Sequence, residues 1–285
     1  MYRITEKKVL NPNVTEMWIE APLVARKAEA GQFIILRVDG EGERIPLTVA
    51  GIDRARGTVR IIFQTVGATT KRLSMKAAGE AVADFVGPLG TPTELDGLER
   101  VCIVGGGVGC AIALPVAQAC RERGMHVEGI VGFRNRDLVI LEEEFRAATD
   151  GLSLMTDDGS YGEKGNVTAP LRALLERGEK IDRIIAIGPL VMMKFVVETA
   201  RPFGVPVTVS MNPIMIDGTG MCGGCRLTLL EDGKRVTRFA CVDGPDFDGY
   251  AVDFDEATSR GGAYAELERH AYEETCNLFA GEEKA

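Results

Sequence analysis

Three cysteines in the last third of the sequence have the residue type and the spacing of metal ligands. Cys222 and Cys225 are separated by two residues in the glycine-rich stretch IDGTGMCGGCR, and Cys241 follows in RFACVDGP. Thiolates spaced as C-x2-C bind zinc ions or iron–sulfur clusters. Sites of this kind usually have four protein ligands, so the identity of the fourth ligand is the first question that the sequence raises.

A carboxylate stands where the fourth ligand is expected. A plant-type iron–sulfur loop runs C-x4-C-x2-C with a distant cysteine, and its first position here is Asp217. Its oxygen can bind iron, and an aspartate that only forms a turn beside Gly218 is the alternative. Cys276 is the rival ligand but lies far outside the loop, and a structural zinc site is disfavoured because a second C-x2-C pair is missing. We predict a [2Fe–2S] cluster whose ligands are Asp217, Cys222, Cys225 and Cys241.

A second candidate site is the stretch IVGGGVGCA, residues 103–111, between a strand pattern and a helix pattern. Glycines let a backbone approach a pyrophosphate, and the start of a helix offers free N–H groups. The fingerprint G-x-G-x-x-G would need glycine at Cys110, so a turn that only serves packing is the alternative. Arg134 and Arg136, after the next strand, would take a 2′-phosphate, contact a pyrophosphate or lie in solvent.

Polar loops near two further strands are also candidates. TDDGSYGEKGNVT, residues 156–168, follows the third strand of this region, where such loops line a crevice, and we count Asp157 and Asp158 among the cofactor-binding candidates. An ordinary solvated turn is the alternative. In ERIPLTVAG, Arg44 can pair with a phosphate and Thr48 can bond a planar ring, but these residues alone favour an ordinary arginine at a strand edge. VGATTKRL, residues 66–73, offers either an anion-binding turn or a simple helix N-cap.

The composition limits the classes of protein to consider. The 285 residues include 33 basic and 42 acidic side chains, and the net charge of −9 argues against nucleic acid or an anionic membrane as the main partner. No apolar run reaches the ~20 residues of a membrane span. We find no signal-peptide pattern, so we expect a cytoplasmic protein. Seven unevenly spaced cysteines indicate metal ligands and buried thiols rather than disulfides.

Three segments with different patterns must position these residues. Residues 1–96 read as short strands separated by turns, which predicts a small barrel with one short helix. Residues 97–210 alternate strands with helices, which predicts a parallel sheet covered on both faces. Residues 211–285 contain the cysteine loop, a hairpin with Asp232-Gly233 at its turn, and a terminal helix. The fold class is therefore mixed β and α/β.

The order of these motifs resembles that of the ferredoxin reductase-like flavoproteins that carry a carboxy-terminal [2Fe–2S] cluster. GERIPLT, VGGGVG, TDDGSYGEKGNVT and DGTGMCGGC…FACVDGPDFD carry this resemblance, which covers essentially the whole chain. Within the family, the sequence looks most like the small subunits of NADH-dependent ferredoxin:NADP oxidoreductases. The electron-transfer subunits of dihydroorotate dehydrogenases are near relatives, but they typically show four cysteines in the cluster loop.

The resemblance implies a role for each matching residue. Residues of the barrel would bind FAD, with one arginine at its pyrophosphate, one strand along the isoalloxazine and one loop over a phosphate. Residues of the sheet would receive the nicotinamide nucleotide, and the spelling G-G-G-V-G is normal for the family. The implied FAD-binding residues are Arg44, Pro46, Leu47, Thr48, Gly67, Thr69 and Thr70. The implied nucleotide-binding residues are Gly105, Gly106, Gly107, Val108, Gly188 and Pro189.

The function implied by the resemblance is electron transfer without a catalytic side chain of the protein itself. NAD(H) would exchange a hydride with FAD, and single electrons would pass through the cluster to or from a larger flavin and iron–sulfur subunit. That heterodimer would serve ferredoxin and NADP(H) by electron bifurcation. The alternatives are the electron-transfer subunit of dihydroorotate dehydrogenase and a non-enzymatic redox-sensing module. Neither His126 nor His270 has a recognisable partner for hydrolytic catalysis.

Overall fold

Two antiparallel sheets enclose the first apolar core. The structure, a computed structural model, describes residues 1–263 and 265–282. One sheet has the order β5-β6-β2-β1-β7 and the other β4-β3-β8. The strands are β1 (Tyr2–Asn11), β2 (Val14–Glu20), β3 (Phe33–Arg37), β4 (Arg44–Thr48), β5 (Gly51–Asp53), β6 (Thr58–Gln64), β7 (Ala81–Val82) and β8 (Asp84–Leu89). The helices are α1 (Pro22–Lys27) and α2 (Ala68–Met75), the latter confirming the predicted short helix.

The expected linker after the barrel begins later than its composition suggests. The glycine- and proline-rich stretch GPLGTPTELDG, residues 87–97, predicts a linker, but its residues 87–89 complete strand β8 against β3. Pro88 is tolerated because β8 is an edge strand of its sheet, where a missing N–H group costs no ladder bond. The linker proper therefore starts near Gly90.

A seven-stranded sheet forms the centre of the molecule. Its order is β12-β11-β10-β9-β13-β14-β17, with every neighbouring pair parallel except β14 and β17. Its strands are β9 (Arg100–Gly106), β10 (His126–Phe133), β11 (Gly151–Thr156), β12 (Glu163–Lys164), β13 (Arg183–Ile187), β14 (Val207–Ser210) and β17 (Asp246–Asp248). The helices between them are α3 (Cys110–Glu122), α4 (Glu142–Ala148), α5 (Thr168–Glu176) and α6 (Leu190–Ala200).

Alternation along β9 gives this sheet two buried faces. Val101 and Ile103 pack with α3 and α4, whereas Cys102 and Val104 pack with α5 and α6. The sequence DLVILEEEFRAA, residues 137–148, predicts one helix, but α4 begins only at Glu142. The backbone of Leu141 has φ of 60°, a left-handed conformation that a regular helix cannot continue through.

The last segment shares a core with the parallel sheet. Its hairpin consists of β15 (Arg226–Glu231) and β16 (Lys234–Phe239), and positive φ at Asp232 and Gly233 confirms the predicted turn. Helices α7 (Phe254–Gly261) and α8 (Ala265–Glu282) follow, and α8 lies against α2. We propose the domain division 1–96, 97–210 and 211–285, although β17 joins the sheet of the second domain. None of the described helices is long and apolar enough to cross a bilayer.

Candidate functional site: a cavity beside a cysteine loop

A cavity of about 680 Å³ lies between the barrel and the carboxyl ends of the parallel strands. This is the edge of an α/β sheet at which ligands bind. The barrel contributes Phe33, Pro46 and Thr48, and the sheet contributes its strand ends and the loops that follow them. Of the predicted cofactor-binding residues, the cavity brings together Pro46, Thr48, Gly106, Gly107, Val108, Asp157, Gly188 and Pro189.

Alternate residues of strand β4 face the cavity and the barrel core. Side chains alternate along a strand, so Pro46 and Thr48 face the cavity while Ile45 and Leu47 pack against the barrel core. Leu47 therefore offers its backbone, not its side chain, to the cavity side of the strand. Arg44, at the start of β4, is exposed outside the cavity lining.

The start of α2 lies beside the start of β4. The Thr70 hydroxyl accepts hydrogen bonds from the amides of Val66 (3.1 Å) and Gly67 (3.0 Å) and donates to the Gly67 carbonyl (2.9 Å). The Thr69 hydroxyl donates to Glu43, next to Arg44, at 3.3 Å. The predicted N-cap geometry is thus present, and it stands next to an exposed arginine, which together suit an anion.

The glycine turn after β9 depends on close backbone approach. A 3-10 turn over Gly107–Gly109 precedes α3, and Gly107 has φ of 55°. A Cβ atom on Gly109 would lie 2.5 Å from the Ile187 carbonyl oxygen and 2.7 Å from Gly188 Cα. Gly109, rather than residue 110, therefore brings the helix against the neighbouring strand, and Cys110 is free to be a buried side chain.

Met192 fills the space between two of the predicted nucleotide-binding segments. A Cβ atom on Gly106 would lie 2.3 Å from Met192 Sδ, and one on Gly188 would lie 2.8 Å from Met192 Cε. The sequence analysis did not single out this methionine. The sequence feature that could have identified Met192 is its position in the first turn of the helix after Gly188-Pro189, at a strand end. A flexible thioether can yield to an incoming ring.

The loop after β11 contains two candidate aspartates that differ in their contacts. Asp157 lines the cavity together with Arg134. Asp158 instead accepts hydrogen bonds from the Ser160 hydroxyl (2.6 Å) and amide (2.9 Å), which lower the pKa of its carboxyl group. Asp158 thus has the solvated-turn geometry that the sequence analysis weighed as the alternative.

Gly105 is buried, and a Cβ atom there would lie 2.9 Å from Cys110 Sγ, so its role in the fold is packing. Arg136 stacks on the ring of Tyr161, 5.5 Å from its centroid, which occupies this guanidinium away from the cavity lining. Two polar cavity residues that the sequence patterns do not single out are Ser210, the last residue of β14, and Asn212, which follows that strand.

The cysteine loop brings its four candidate ligands together in two pairs. The Sγ atoms of Cys225 and Cys241 are 3.1 Å apart and both residues are buried. The Asp217 carboxylate accepts hydrogen bonds from the amides of Thr219 and Cys222, each at 2.7 Å. Among the described residues, no group of three or more His, Cys, Asp or Glu side chains lies close enough together to hold a metal ion, and the two pairs of this loop are no exception. Two soft thiols buried together and a third beside a carboxylate form a donor set that suits iron.

The electrostatics of this loop follow from its backbone. The Thr219 and Cys222 amides lower the pKa of the Asp217 carboxyl group. Burial, followed by the neighbouring Cys225 thiol, raises the pKa of Cys241. Gly218 has φ of 75°, and a Cβ atom there would lie 2.7 Å from Leu89 Cδ1, so the loop is seated on β8 of the barrel.

The remaining described cysteines have the core positions that were predicted. Cys102, Cys110 and Cys120 are fully buried on β9 and α3. Burial raises the pKa of all three thiols, for Cys120 to about 11, which keeps them protonated and unreactive. The side chain of the rival ligand Cys276 lies outside the described residues.

Comparison with known proteins places the chain in a family. Residues 212–253, which contain all four candidate ligands, match the family model for the iron–sulfur cluster binding domain of dihydroorotate dehydrogenase B. A homologue of the electron transfer subunit of dihydroorotate dehydrogenase B (NAD(+)) from Thermotoga maritima is 46% identical over 270 residues, 95% of this chain and 94% of the relative. The chain belongs to the family of these electron transfer subunits.

Other members of this family and a solved structure agree with the assignment. The electron transfer subunit of dihydroorotate dehydrogenase B (NAD(+)) from Streptococcus pneumoniae is 33% identical over 250 residues, 86% of this chain and 97% of the relative. A chain of a NADH-dependent reduced ferredoxin-NADP oxidoreductase, solved to study flavin-based electron bifurcation, has 43% identity and a TM-score of 0.89, covering 96% of this chain and 97% of that one. The predicted family and fold class are confirmed.

Proposed function

We propose that this electron transfer subunit contains FAD and a [2Fe–2S] cluster, exchanges electrons with NAD(H), and works in a ferredoxin:NADP oxidoreductase. The observation that carries the proposal is the full-length structural match to the NADH-dependent reduced ferredoxin-NADP oxidoreductase. The cavity supports it, since one space is lined by the R-x-P-L-T strand, by the glycine turn and by the Gly188-Pro189 segment. The cytoplasmic location expected from the sequence is part of this proposal.

The residues of the barrel fit a dinucleotide that enters the cavity from the side of β4. Thr48 and Pro46 present a hydroxyl and a flat ring to the cavity wall. The helix start with Gly67, Thr69 and Thr70 stands beside Arg44 and would hold phosphates by amide groups and one positive charge. Space is open beside Gly67, because a Cβ atom there would have no neighbour within 4 Å among the described residues.

The strand ends of the sheet would hold the nicotinamide nucleotide against the flavin. The turn from Gly106 to Val108 lines the cavity, and Asp157 would offer a carboxylate to ribose hydroxyls. Met192 and Phe33 would exclude water from the contact between the two rings. FAD, once bound, supplies both two-electron exchange with a nicotinamide ring and one-electron exchange with a cluster.

The cluster would be held by Asp217, Cys222, Cys225 and Cys241. The loop lies next to the cavity in the chain, because Met215 lines the cavity two residues before Asp217. The same apolar core contains Met215, Cys225 and Cys241, so the two cofactor sites share one packed wall. A shared, apolar packed wall suits electron transfer between them.

The surface around the cluster loop fits a protein partner. Large apolar side chains are exposed there, namely Ile214 (40%), Ile216 (54%), Met221 (89%) and Val242 (44%). Together they make the apolar part of a protein interface. We propose that the larger flavin and iron–sulfur subunit covers this rim and that NADP(H) and ferredoxin react at that subunit.

The matched iron–sulfur domain favours a second function, that of the electron transfer subunit in a dihydroorotate dehydrogenase. The two functions require different large subunits. Asp217 at a position where those relatives typically have cysteine supports the first.

One reconstitution distinguishes the two functions. The purified chain should contain flavin, iron and acid-labile sulfide. With its co-purifying large subunit it should reduce NADP+ only when NADH and reduced ferredoxin are both supplied. Oxidation of dihydroorotate by the same complex would establish the second function instead, and a colourless chain without flavin would contradict both.

A further inference from the structure

Asp246 is a buried acid to which the proposed electron transfer assigns no role. It begins β17 and pairs with Ser210 of β14 in the parallel sheet. Its Oδ2 atom accepts a hydrogen bond of 2.6 Å from the Thr93 hydroxyl, in the linker that follows the barrel. The side chain thus joins the linker, the sheet and the segment that follows the cluster loop.

The surroundings of this carboxyl group are built for a neutral side chain. The residue as a whole is half-buried, but its Oδ1 atom is inaccessible to solvent and has no hydrogen-bond partner. The hydroxyls of Thr93 and Ser210 favour the ionised form, but burial has the larger effect and no charged side chain of the described residues contributes. An ionised carboxylate in such a place would lack a compensating charge. Burial accordingly raises the pKa of Asp246.

The linker side of this contact is sterically fixed. Thr93 is buried, and its amide donates to the Ala30 carbonyl at 3.0 Å. A Cβ atom on Gly31 would lie 2.2 Å from Thr93 Oγ1, so the barrel turn leaves room for this hydroxyl only because residue 31 is glycine. The Thr93 hydroxyl is therefore held in the position from which it donates to Asp246.

The segments that Asp246 joins form one wall of the cavity. Ser210, Met211 and Pro245 all line it. The Met211 amide donates to the Pro245 carbonyl at 2.8 Å, and the Thr91 amide donates to the Gly244 carbonyl at 2.7 Å. A change at the carboxyl of Asp246 would therefore reach the cavity wall through its backbone neighbour Pro245 and through Ser210.

We propose that Asp246 is a positioning residue that holds this wall of the cavity through its neutral carboxylic acid, so that flavin is retained less well once the acid ionises. The retention part of the proposal rests on the proposed flavin site, whereas the neutral acid does not. Ionisation would put an uncompensated charge between the linker and the sheet. The junction would then open to admit water, and the wall formed by Ser210 and Pro245 would lose its support.

The direction of the pH effect follows from linkage. A raised pKa means that the folded chain binds this proton over a wider pH range than the unfolded chain does. The contribution to stability is complete below the ordinary pKa of an aspartic acid and is lost as pH rises through the raised value. If flavin binding itself favours the neutral acid, the flavin affinity falls about tenfold for each unit by which binding raises that pKa.

The first test detects the proton directly. Infrared spectra of the purified chain and of its Asp246→Asn variant, taken at pH 6 and 7, are subtracted. We expect a carbonyl band of a protonated carboxylic acid in the natural chain that the variant lacks. Asp248→Asn, an exposed change on the same strand, should leave the band in place. A difference spectrum without this band at either pH would overturn the proposal, even if the chain bound no flavin.

The second test measures positioning. Flavin dissociation rates are compared between pH 6 and pH 9 for the natural chain, Asp246→Asn and Asp248→Asn. The amide imitates the neutral acid in shape and charge, so we expect Asp246→Asn to show a smaller rise in rate with pH than the other two. Thr93→Val, which removes the donor, should raise the rate at both pH values. Equal pH profiles for all chains would refute the positioning role.

Discussion

At the scale of single residues, Asp217 has one observed role and one proposed role. Its carboxylate accepts hydrogen bonds from the amides of Thr219 and Cys222, and we propose that it also binds the cluster. A carboxylate has enough lone pairs to keep one of these bonds while binding iron. Oxygen is a harder ligand than thiolate, so the iron it binds should have a distinct potential and spectrum.

Replacement of Asp217 should therefore change the cluster without always destroying it. Asp217→Cys should keep a [2Fe–2S] cluster with a shifted midpoint potential and changed g-values in the EPR spectrum. Serine at Cys222, Cys225 or Cys241 should each lose most of the iron and sulfide, whereas Cys276→Ser should keep both. An unchanged EPR signal in Asp217→Ala, together with cluster loss in Cys276→Ser, would exclude the carboxylate as ligand.

Arg44 supplies the positive charge proposed for the flavin pyrophosphate. Its loss removes a charge-assisted hydrogen bond of about 1.5–3 kcal/mol, which corresponds to roughly tenfold to a hundredfold weaker FAD binding. Arg44→Ala should purify with little FAD, as measured by absorbance and by titration of the apoprotein. Arg3→Ala, another exposed barrel arginine, is the control and should bind FAD normally. Full FAD occupancy in Arg44→Ala would mean that the pyrophosphate binds elsewhere.

Asp157 and Arg134 line the same end of the cavity and predict opposite nucleotide preferences. A carboxylate bonds ribose hydroxyls and repels a 2′-phosphate, whereas an arginine attracts it. With Arg136 stacked on Tyr161, we expect the carboxylate to dominate. Stopped-flow reduction of the isolated subunit should be faster with NADH than with NADPH at equal concentration. The opposite order would show that Arg134 reads the 2′-phosphate.

At the scale of elements, short turns do most of the positioning. The turn at Gly107–Gly109 lets α3 begin directly against β13, and the alternation of β4 sends Thr48 toward the cavity. The Gly218 turn rests on β8. Each of these contacts places a cofactor-binding segment by backbone geometry, so a single added methyl group tests it.

Gly109→Ala should disturb the glycine turn because its methyl group would collide with the backbone of Ile187 and Gly188. We expect a loss of about 1–3 kcal/mol in the free energy of unfolding, together with weaker NADH binding. Denaturant titration and nucleotide titration measure the two effects. Gly40→Ala adds its methyl group where nothing lies within 4 Å and should change neither. Normal NADH binding by Gly109→Ala would separate the turn from the nucleotide site.

The elements that the sequence predicts well are those with a local signal. The turn at Asp232-Gly233, the helix over TTKRLSM and the glycine turn all follow from residue types within a few positions. Strand β17 has only three residues and no alternation long enough to read, so its pairing with β14 depends on tertiary contacts. The same holds for Asp246, whose burial results from three segments that are far apart in the sequence.

At the scale of the whole molecule, one buried ion cluster ties the barrel to the parallel sheet. Arg60 of β6 bonds Glu16 of β2 at 2.6 Å and Glu144 of α4 at 2.7 Å. The side chains of Arg60 and Glu16 are each only 11% exposed. Burial alone would lower the pKa of Arg60, but its hydrogen bonds to the two glutamates raise this pKa by a larger amount. The net effect is a raised pKa, so the guanidinium stays charged.

Arg60→Met should therefore loosen the barrel from the sheet. It leaves two carboxylates without their partner, one of them buried, which costs about 3–5 kcal/mol. A lower melting temperature and a lower denaturation midpoint should show this loss, and Glu16→Gln with Glu144→Gln should restore part of it. Arg3→Met removes an exposed pair with Glu20 and should cost at most about 1 kcal/mol. Equal losses in the two arginine variants would mean that the buried cluster does not join the two parts.

The pairing of β17 with β14 also bears on how the chain is made in the cell. Synthesis proceeds from the amino terminus, so β14 leaves the ribosome well before its partner strand. Until then the nascent sheet ends in a bare edge of Val207–Ser210, which invites pairing with other chains. The cysteine loop and the hairpin are translated before that edge is covered. The seven-stranded sheet is therefore completed only after the cysteine loop and the hairpin have been translated. We expect chaperones to bind chains that stop before Asp248.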